Sequence, residues 1–336
     1  MSHPTSRTLF RSTPWLQAWI ETYGNDPALK LIDLGGRKDP LDYVYLTTAQ
    51  LKGVLPVNSL CLAGMPYAKI DTPRAEYLNH NMLMSDNAPF ADEIKRLNPH
   101  QICIADIDTS LNPSDSLRQV ASRYSRHLFI QKKEQAYSIE PTEFETYLST
   151  LSASTRRSYF NQRKKLDAIG KVELTTYPVE DAALFFSAHN QLHRLRWGIP
   201  CYSDRTQSFL QSFMTDLIRE NGLPIMQTMS LNGEVIATLF DISWQGRRYN
   251  FQSCFKSLEN SNLAVGSLML GHAIEESLRQ HQAYDLMAGR GKNSAYKSLI
   301  STTSTELYSI SLMNKPLYQL VNTHRLIKNK LQGLRP

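Results

Sequence analysis

The sequence predicts an α/β chain of two domains, and three observations carry that expectation. The chain has 336 residues, more than one average domain and too few for three. Up to about residue 140, helix-like and strand-like segments alternate, the pattern of layered α/β structure. The second half holds three alternating apolar runs separated by Asn232-Gly233 and Gln245-Gly246, and Asn-Gly between two such runs is the strongest short hairpin signal.

Taken in order, Ser12-Thr13-Pro14 before Trp15-Leu16-Gln17-Ala18-Trp19-Ile20 reads as an N-cap, a first-turn proline and an amphipathic helix. Ala28–Leu34, Asp42–Thr48, Ser59–Ala63, Gln101–Ile107 and His127–Gln131 read as strands, with helices ending at Leu97 and spanning Leu117–Ser125. Glu140-Pro141-Thr142 opens a new helix, Glu143–Leu151, and the domain boundary is placed there, giving 1–140 and 141–336. Ser152–Ile169 is expected as one helix with Arg156, Arg157, Arg163, Lys164 and Lys165 on exposed faces, closed by Gly170. Val172–Tyr177 alternates as a strand, and Val179–Leu195 and Asp204–Asn221 follow as helices. The meander Ile225–Leu231, Glu234–Trp244 and Arg248–Phe255 leads through a loop into a helix at about Val265–His281. A strand at Ala283–Met287, a helix at Ser294–Ile300, a strand at Thr305–Leu312 and a basic helix at Pro316–Leu331 complete the chain.

Composition narrows the class. With 41% hydrophobic and 20% charged residues, the chain has the make-up of a soluble globular protein. The net charge of +6 permits an anionic ligand without requiring one. Cys61, Cys103, Cys201 and Cys254 form no C-x-x-C pair, which argues against a zinc or redox motif and fits a reducing compartment. The N-terminal residues lack a signal-peptide pattern, and no stretch reaches the ~18 apolar residues of a membrane span. A cytoplasmic protein is therefore expected. No G-x-S-x-G elbow, Walker loop or papain-type cysteine is present, so a serine hydrolase, NTPase or cysteine protease has no support.

The order of elements in the second half resembles the GNAT acyltransferase fold, and local sequences sharpen the resemblance. Ser154-Thr155-Arg156-Arg157-Ser158-Tyr159-Phe160-Asn161-Gln162-Arg163-Lys164-Lys165-Leu166 is similar to the basic helix opening the second domain of Fem-type aminoacyltransferases and to its counterpart in CelD-like acetyltransferases. Val265-Gly266-Ser267-Leu268-Met269-Leu270 looks like the family's loop-to-helix step. Tyr284-Asp285-Leu286-Met287-Ala288-Gly289, with Tyr296-Lys297 after it, resembles the late strand and its Asp…Gly…Tyr-Lys signature. Ser12-Thr13-Pro14-Trp15-Leu16 is similar to an opening Pro-Trp-Leu helix. The resemblance implies an α/β (α+β) chain of two tandem GNAT-like domains, each a mixed, mainly antiparallel sheet flanked by helices, the first degenerate. One departure stands out: GNAT enzymes carry Gln/Arg-x-x-Gly-x-Gly/Ala in this loop, whereas here Gly266 stands with Ser261 and Ala264 at the other key places.

The resemblance also implies a site. Leu263, Ala264, Val265, Gly266 and Ser267 would bind the pyrophosphate of acetyl-CoA or another acyl-CoA, because unpaired amides and the dipole at a helix N-terminus favour an anion; the ordinary alternative is a loop glycine before a helix. Asp285 would orient or deprotonate an amine, against a strand-end Asp that caps a turn. Tyr296 would protonate the leaving thiolate and Lys297 would hold a phosphate or an oxyanion, against a packed tyrosine and a solvated lysine. Arg196, Trp197 and Gln252 are candidate acceptor contacts; a sheet glutamine with a paired side chain is as common. His189 and His193 share a helix face, more often a structural arrangement than a metal pair, and no metal is expected.

The expected activity is transfer of an acyl, most simply acetyl, group from acyl-CoA to an amine. The acceptor would be a small molecule, an amino sugar, or a glycan- or lipid-linked envelope or polysaccharide precursor. One alternative is a Fem-like, aminoacyl-tRNA-dependent peptidoglycan aminoacyltransferase, the only reading that calls for tRNA; the coiled-coil arm frequent in that group is missing. Another is a non-catalytic binding module in exopolysaccharide assembly. DNA is not an expected partner, no transmembrane segment is expected, and transient contact with a membrane surface stays open; the basic residues cluster at Arg156–Lys165 and again at Arg325–Lys330.

Overall fold

Glycine- and asparagine-driven hairpins set the sheets. In the computed structural model, which describes residues 8–35, 38–51, 53–78, 88–111, 114–258, 261–289 and 292–333, both turns of the predicted meander adopt left-handed backbone at their two central residues. The φ values are 52° and 83° at Asn232 and Gly233, and 48° and 78° at Gln245 and Gly246. That geometry matches the right-handed twist of the flanking strands. They join β7 (Leu223–Leu231), β8 (Glu234–Trp244) and β9 (Arg247–Phe255) into an antiparallel sheet.

The chain divides into two units, Met1–Glu134 with Glu306–Pro336, and Gln135–Thr305. This differs from the division at 140/141 expected from sequence. The reason is long-range strand pairing. β11 (Thr303–Met313) is hydrogen-bonded antiparallel to β4 (Gln101–Asp108) of the first unit, from Leu307↔Asp108 to Met313↔Gln101. β5 (His127–Ile139) reaches across the expected boundary, and its residues Gln135–Ile139 pair antiparallel with β10 (Ala283–Gly289) of the second unit.

Within the first unit, β1 (Lys30–Asp33), β2 (Tyr43–Leu51) and β3 (Leu55–Leu62) form an antiparallel meander, β3 runs parallel to β4, and β4 is antiparallel to β11. Helix α1 (Thr13–Tyr23) starts as predicted: the Ser12 hydroxyl accepts the Trp15 N–H at 3.4 Å and Pro14 lies in the first turn. Its Trp15, Leu16 and Trp19 are fully buried, and the Trp19 ring stacks on Tyr45 at 5.3 Å. The unit also holds α2 (Ala88–Leu97) and α3 (Ser114–Arg123).

The second unit repeats that strand logic. β6 (Val172–Tyr177) and β7–β9 are antiparallel neighbours, β9 and β10 are parallel, and β10 is antiparallel to β5. In each unit, then, a meander is followed by one parallel step and one antiparallel closing strand. The bulge also recurs: Asp106 in β4 and Met287 in β10 both have positive φ, 47° and 59°. The helices of the second unit are α4 (Phe144–Thr150), α5 (Ala153–Arg156), α6 (Arg163–Asp167), α7 (Ala182–Trp197), α8 (Asp204–Arg219), α9 (Val265–Arg279) and α10 (Lys292–Ile300). A last helix, α11 (Lys315–Gly333), belongs to the first unit. Within each unit the strand pairing is thus mixed and mainly antiparallel, with helices flanking it.

The single helix expected over Ser152–Ile169 is broken. Between α5 and α6 the chain makes a π-helical turn, Arg157–Asn161. Close packing accounts for it: a Cβ at Gly271 of α9 would lie 2.0 Å from the Tyr159 carbonyl oxygen, so the two backbones touch and the extra residue in the turn is accommodated there. Two of the five basic residues are also not solvated. Arg156 donates to the carbonyls of Leu148 and Leu151 at 3.2 and 2.6 Å, and Arg163 pairs with Glu275 at 2.5 Å. Arg157, Lys164 and Lys165 are exposed.

Candidate active site

The second unit opens where its two parallel strands part. β9 and β10 pair only over Arg247↔Ala283, Arg248↔Tyr284 and Tyr249↔Asp285. Beyond them β9 runs on to Phe255 beside β8, while β10 runs on to Gly289 beside β5. Each strand is irregular at the parting: the β8–β9 register shifts between Phe240 and Asp241, and the β10–β5 register between Asp285 and Met287. A bulge re-aims the backbone and ends pairing. The two strands thus diverge as a wedge past Tyr249 and Asp285.

A buried polar network holds the closed end of the wedge. Asp241, wholly buried, accepts from Arg248 Nε at 2.7 Å and the Tyr284 hydroxyl at 2.9 Å through Oδ2, and from Asn250 Nδ2 at 2.9 Å through Oδ1. Arg248, 1% exposed, reaches Glu276 of α9 at 2.8 Å and Gln227 of β7 at 3.3 Å. Burial lifts the Asp241 carboxyl above the ordinary carboxylate range, against the pull of Arg248 and its hydrogen-bond donors. Burial, with Asp241 adding, also raises the Tyr284 phenol. One carboxylate with three donors ties β8, β9 and β10 together, and Arg248 extends the clamp to α9. Sequence reading did not find this network. Its signal was Asp241, the lone acid in the apolar run Val235–Trp244, which the Gln245-Gly246 turn joins to the paired Arg247-Arg248.

The three expected catalytic residues lie on β10 and α10. Asp285 is 2% exposed. Its Oδ2 accepts from Arg247 Nη1 at 3.2 Å and its Oδ1 from the Met287 N–H at 2.7 Å, across the bulge. Lys297 is 4% exposed and donates to the carbonyls of Met287 and Ala288 at 3.2 and 2.7 Å. Asp285 and Lys297 thus meet at one place and brace the bulge from its two sides. Tyr296 is half-buried against the core formed by α9, β10 and their neighbours.

The expected donor loop is at the N-terminus of α9. The cap residue, Ala264, has no side chain to satisfy the first amides; its carbonyl accepts from Ser267 and Leu268 N–H at 2.8 and 3.0 Å. Leu263 N–H is taken by Ser261 Oγ at 3.0 Å, and Val265 is buried. Gly266 lies against the Phe255 ring so closely that a Cβ would fall 2.3 Å from it. Tyr159 in the π turn is within hydrogen-bond reach of Ser267, and burial raises its phenol pKa.

Phe255 links that loop to the expected acceptor contacts. The Arg196 guanidinium lies 4.5 Å from the centroids of both Phe255 and Trp197. A cleft of about 250 Å³ opens here, lined by Leu192, Leu195, Arg196, Phe255, Lys256 and Ser257. Arg196 gives it positive character over an aromatic floor, a surface that suits an anion, while the Lys256 ammonium is paired with Glu234. The structure therefore brings Gly266, Arg196 and Trp197 together through Phe255. Gln252 stands elsewhere, its amide 3.5 Å from Cys201 Sγ. The cleft lining includes none of Asp285, Tyr296 and Lys297. His189 and His193 are also apart in role: His189 Nδ1 bonds Thr238 at 2.8 Å, and His193 Nδ1 bonds the Ile199 carbonyl at 2.7 Å. His189 is wholly buried and its Nε2 has no hydrogen-bond partner among the described residues, so burial holds its pKa down at about 3.

Comparison with known proteins bears on this geometry. Residues 153–298 match the family described as Acetyltransferase (GNAT) domain. The fold is similar to FemX, with a TM-score of 0.56 and 12% identity over 95% of this chain and 99% of that one. It is also similar to a conserved protein of unknown function from Bacteroides thetaiotaomicron VPI-5482, with a TM-score of 0.51 and 12% identity over 92% of each chain. A tandem GNAT protein from the clavulanic acid biosynthesis pathway aligns with a TM-score of 0.42 and 10% identity over 89% of this chain and 94% of that one. Comparison with curated proteins found no match. Among the described residues, no helix is long and apolar enough to cross a membrane.

Proposed function

We propose, from a chain whose residues 153–298 match the acetyltransferase (GNAT) domain family, that its second unit transfers an acyl group from acyl-CoA to an amine. The observation that carries this reading is the parting of β9 and β10 after three paired residues, beside the uncapped N-terminus of α9 and the cationic, aromatic cleft at Arg196 and Phe255. A thioester laid in the wedge would have its carbonyl polarised by strand amides, and its phosphates met by the first turn of α9 and by Arg196.

The chemistry asks for position more than for a nucleophile. The acceptor nitrogen forms the new bond to the carbonyl carbon, its proton leaves to water, and the thiolate departs as the C–S bond breaks. Tyr296 is the proposed proton donor to that thiolate. Asp285 and Lys297 are proposed to act mainly by fixing the bulge that shapes the wedge, since both already spend their charge on Arg247 and on strand backbone. Gln252 and Trp197 are proposed on the acceptor side, with an amino sugar or an envelope-precursor amine as the substrate class. The division of labour follows: the second unit holds the site, and the first carries none of the proposed residues.

The test is a thermal-unfolding series with acetyl-CoA, longer acyl-CoAs and free CoA. A binding ligand at 100 times its dissociation constant adds about 2.7 kcal/mol of stability. Absence of a shift with every CoA species sinks the reading and favours an aminoacyl-tRNA donor or a non-catalytic module instead. Binding that falls steeply with salt when tRNA is added would select the former.

A further inference from the structure

Helix α11 presents a surface that the first unit leaves uncovered. One side is anchored: Leu317 is buried with Val57 and Met313, and Tyr318 and Val321 pack beside them. The Tyr318 ring stacks on His127 at 4.9 Å, and the Arg325 guanidinium lies 5.0 Å from the Phe129 centroid. The other side is not: Leu320, Leu326 and Ile327 are 48%, 54% and 53% exposed. Leu320 and Ile327 are two turns apart and share a face. The β2–β3 turn, tied to the same small core through Leu51 and Val57, exposes Val54 by 84% and Leu55 by 46%.

Charge points the same way. From Lys315 to Gly333 the helix contains Lys315, His324, Arg325, Lys328 and Lys330, and neither Asp nor Glu. An exposed apolar ridge on an acid-free basic helix has the character of a helix that lies in a membrane interface. Nucleic acid would account for the cations but leaves the leucines unexplained, because phosphate contacts need no apolar ridge.

We propose that α11 docks the protein on an anionic phospholipid surface, with Leu320 and Ile327 entering the headgroup–acyl boundary and the net positive charge of the helix drawing it to lipid phosphate. This inference stands apart from the acyl-transfer reading, since α11 belongs to the other unit. The experiment is co-sedimentation of the full chain with vesicles of phosphatidylcholine alone and with about one-third phosphatidylglycerol. Binding to the anionic vesicles is expected to be at least about tenfold tighter and to weaken with salt. A Leu320→Glu/Ile327→Glu variant should lose it while unfolding at the parent temperature. Replacing Lys315, Lys328 and Lys330 by Gln should weaken it roughly fivefold per charge. Equal affinity for both vesicles, or none, overturns the proposal. So does binding that survives Leu320→Glu/Ile327→Glu but is displaced by RNA. A dimer abolished by that variant, without vesicle binding, would assign the ridge to self-association and likewise overturn it.

Discussion

At the scale of single residues, Asp285 and Lys297 are engaged with the β10 bulge rather than with the cleft, which Arg196 lines. Asp285 and Lys297 share one task, holding the bulge around Met287. Asp285→Asn is expected to cost about 2 kcal/mol of stability, less than a fully buried pair because Arg247 is a third exposed. Lys297→Met should cost about 2 kcal/mol by leaving two buried carbonyls without their donor. Urea unfolding measures both; a drop in kcat at unchanged stability would instead give either residue a chemical role. Two histidines, His189 wholly buried and His272 partly so, contribute to the acid dependence of stability. Burial holds His189 at about 3 and, with Arg163 adding, His272 at about 4, against about 6.5 in the unfolded chain. The unfolded state therefore binds protons that the folded state refuses. Stability is fully present above about pH 6.5 and is lost as pH falls toward 4, by up to about 1.4 kcal/mol per pH unit for each histidine. Urea midpoints at pH 7 and pH 5 should differ less for His189→Leu than for the parent.

At the scale of elements, two glycines of α9 set how closely other elements approach it. Gly271 lets the Tyr159 carbonyl reach the helix, so Gly271→Ala is expected to force the helix and the π turn apart at about 1–3 kcal/mol, read as a lower unfolding midpoint. Gly266 leaves room for the Phe255 ring, on which Arg196 rests. Gly266→Ala should displace ring and guanidinium together, raising KM for the acyl donor several-fold with kcat nearly unchanged. A fall in kcat with KM constant would remove Gly266 from donor binding. The π turn itself was not legible in Ser152–Ile169, because the local pattern is helical throughout and the cause is a residue more than a hundred positions away.

At the scale of the whole molecule, the closing strands decide what can fold alone. A fragment of residues 141–336, the domain suggested by sequence, would lack the β5 partner of β10 and carry β11 without β4. It is expected to expose two strand edges, bind a hydrophobic dye and unfold without cooperativity. Cooperative urea unfolding of that fragment would show that neither pairing is required. The recurrence of meander, parallel step, bulge and closing strand in both units gives structural content to the tandem arrangement that the family resemblance implied.

The sequence by itself determined the local elements and their order. Asn232-Gly233 wrote the hairpin, Ser12 and Pro14 the start of α1, and the alternation of Val172–Tyr177 a strand whose bounds the structure repeats. These depend on backbone preferences and side-chain period within a few residues, so they can be read locally. Of the site, the α9 loop and the Arg196–Trp197 pair were legible as residue types in order. That Phe255 joins them, that Asp241 clamps the wedge, and that Asp285 and Lys297 meet at one bulge were decided only by tertiary structure. Each is a contact between segments far apart in the chain, fixed by strand register and by burial of charge, and no local pattern encodes either.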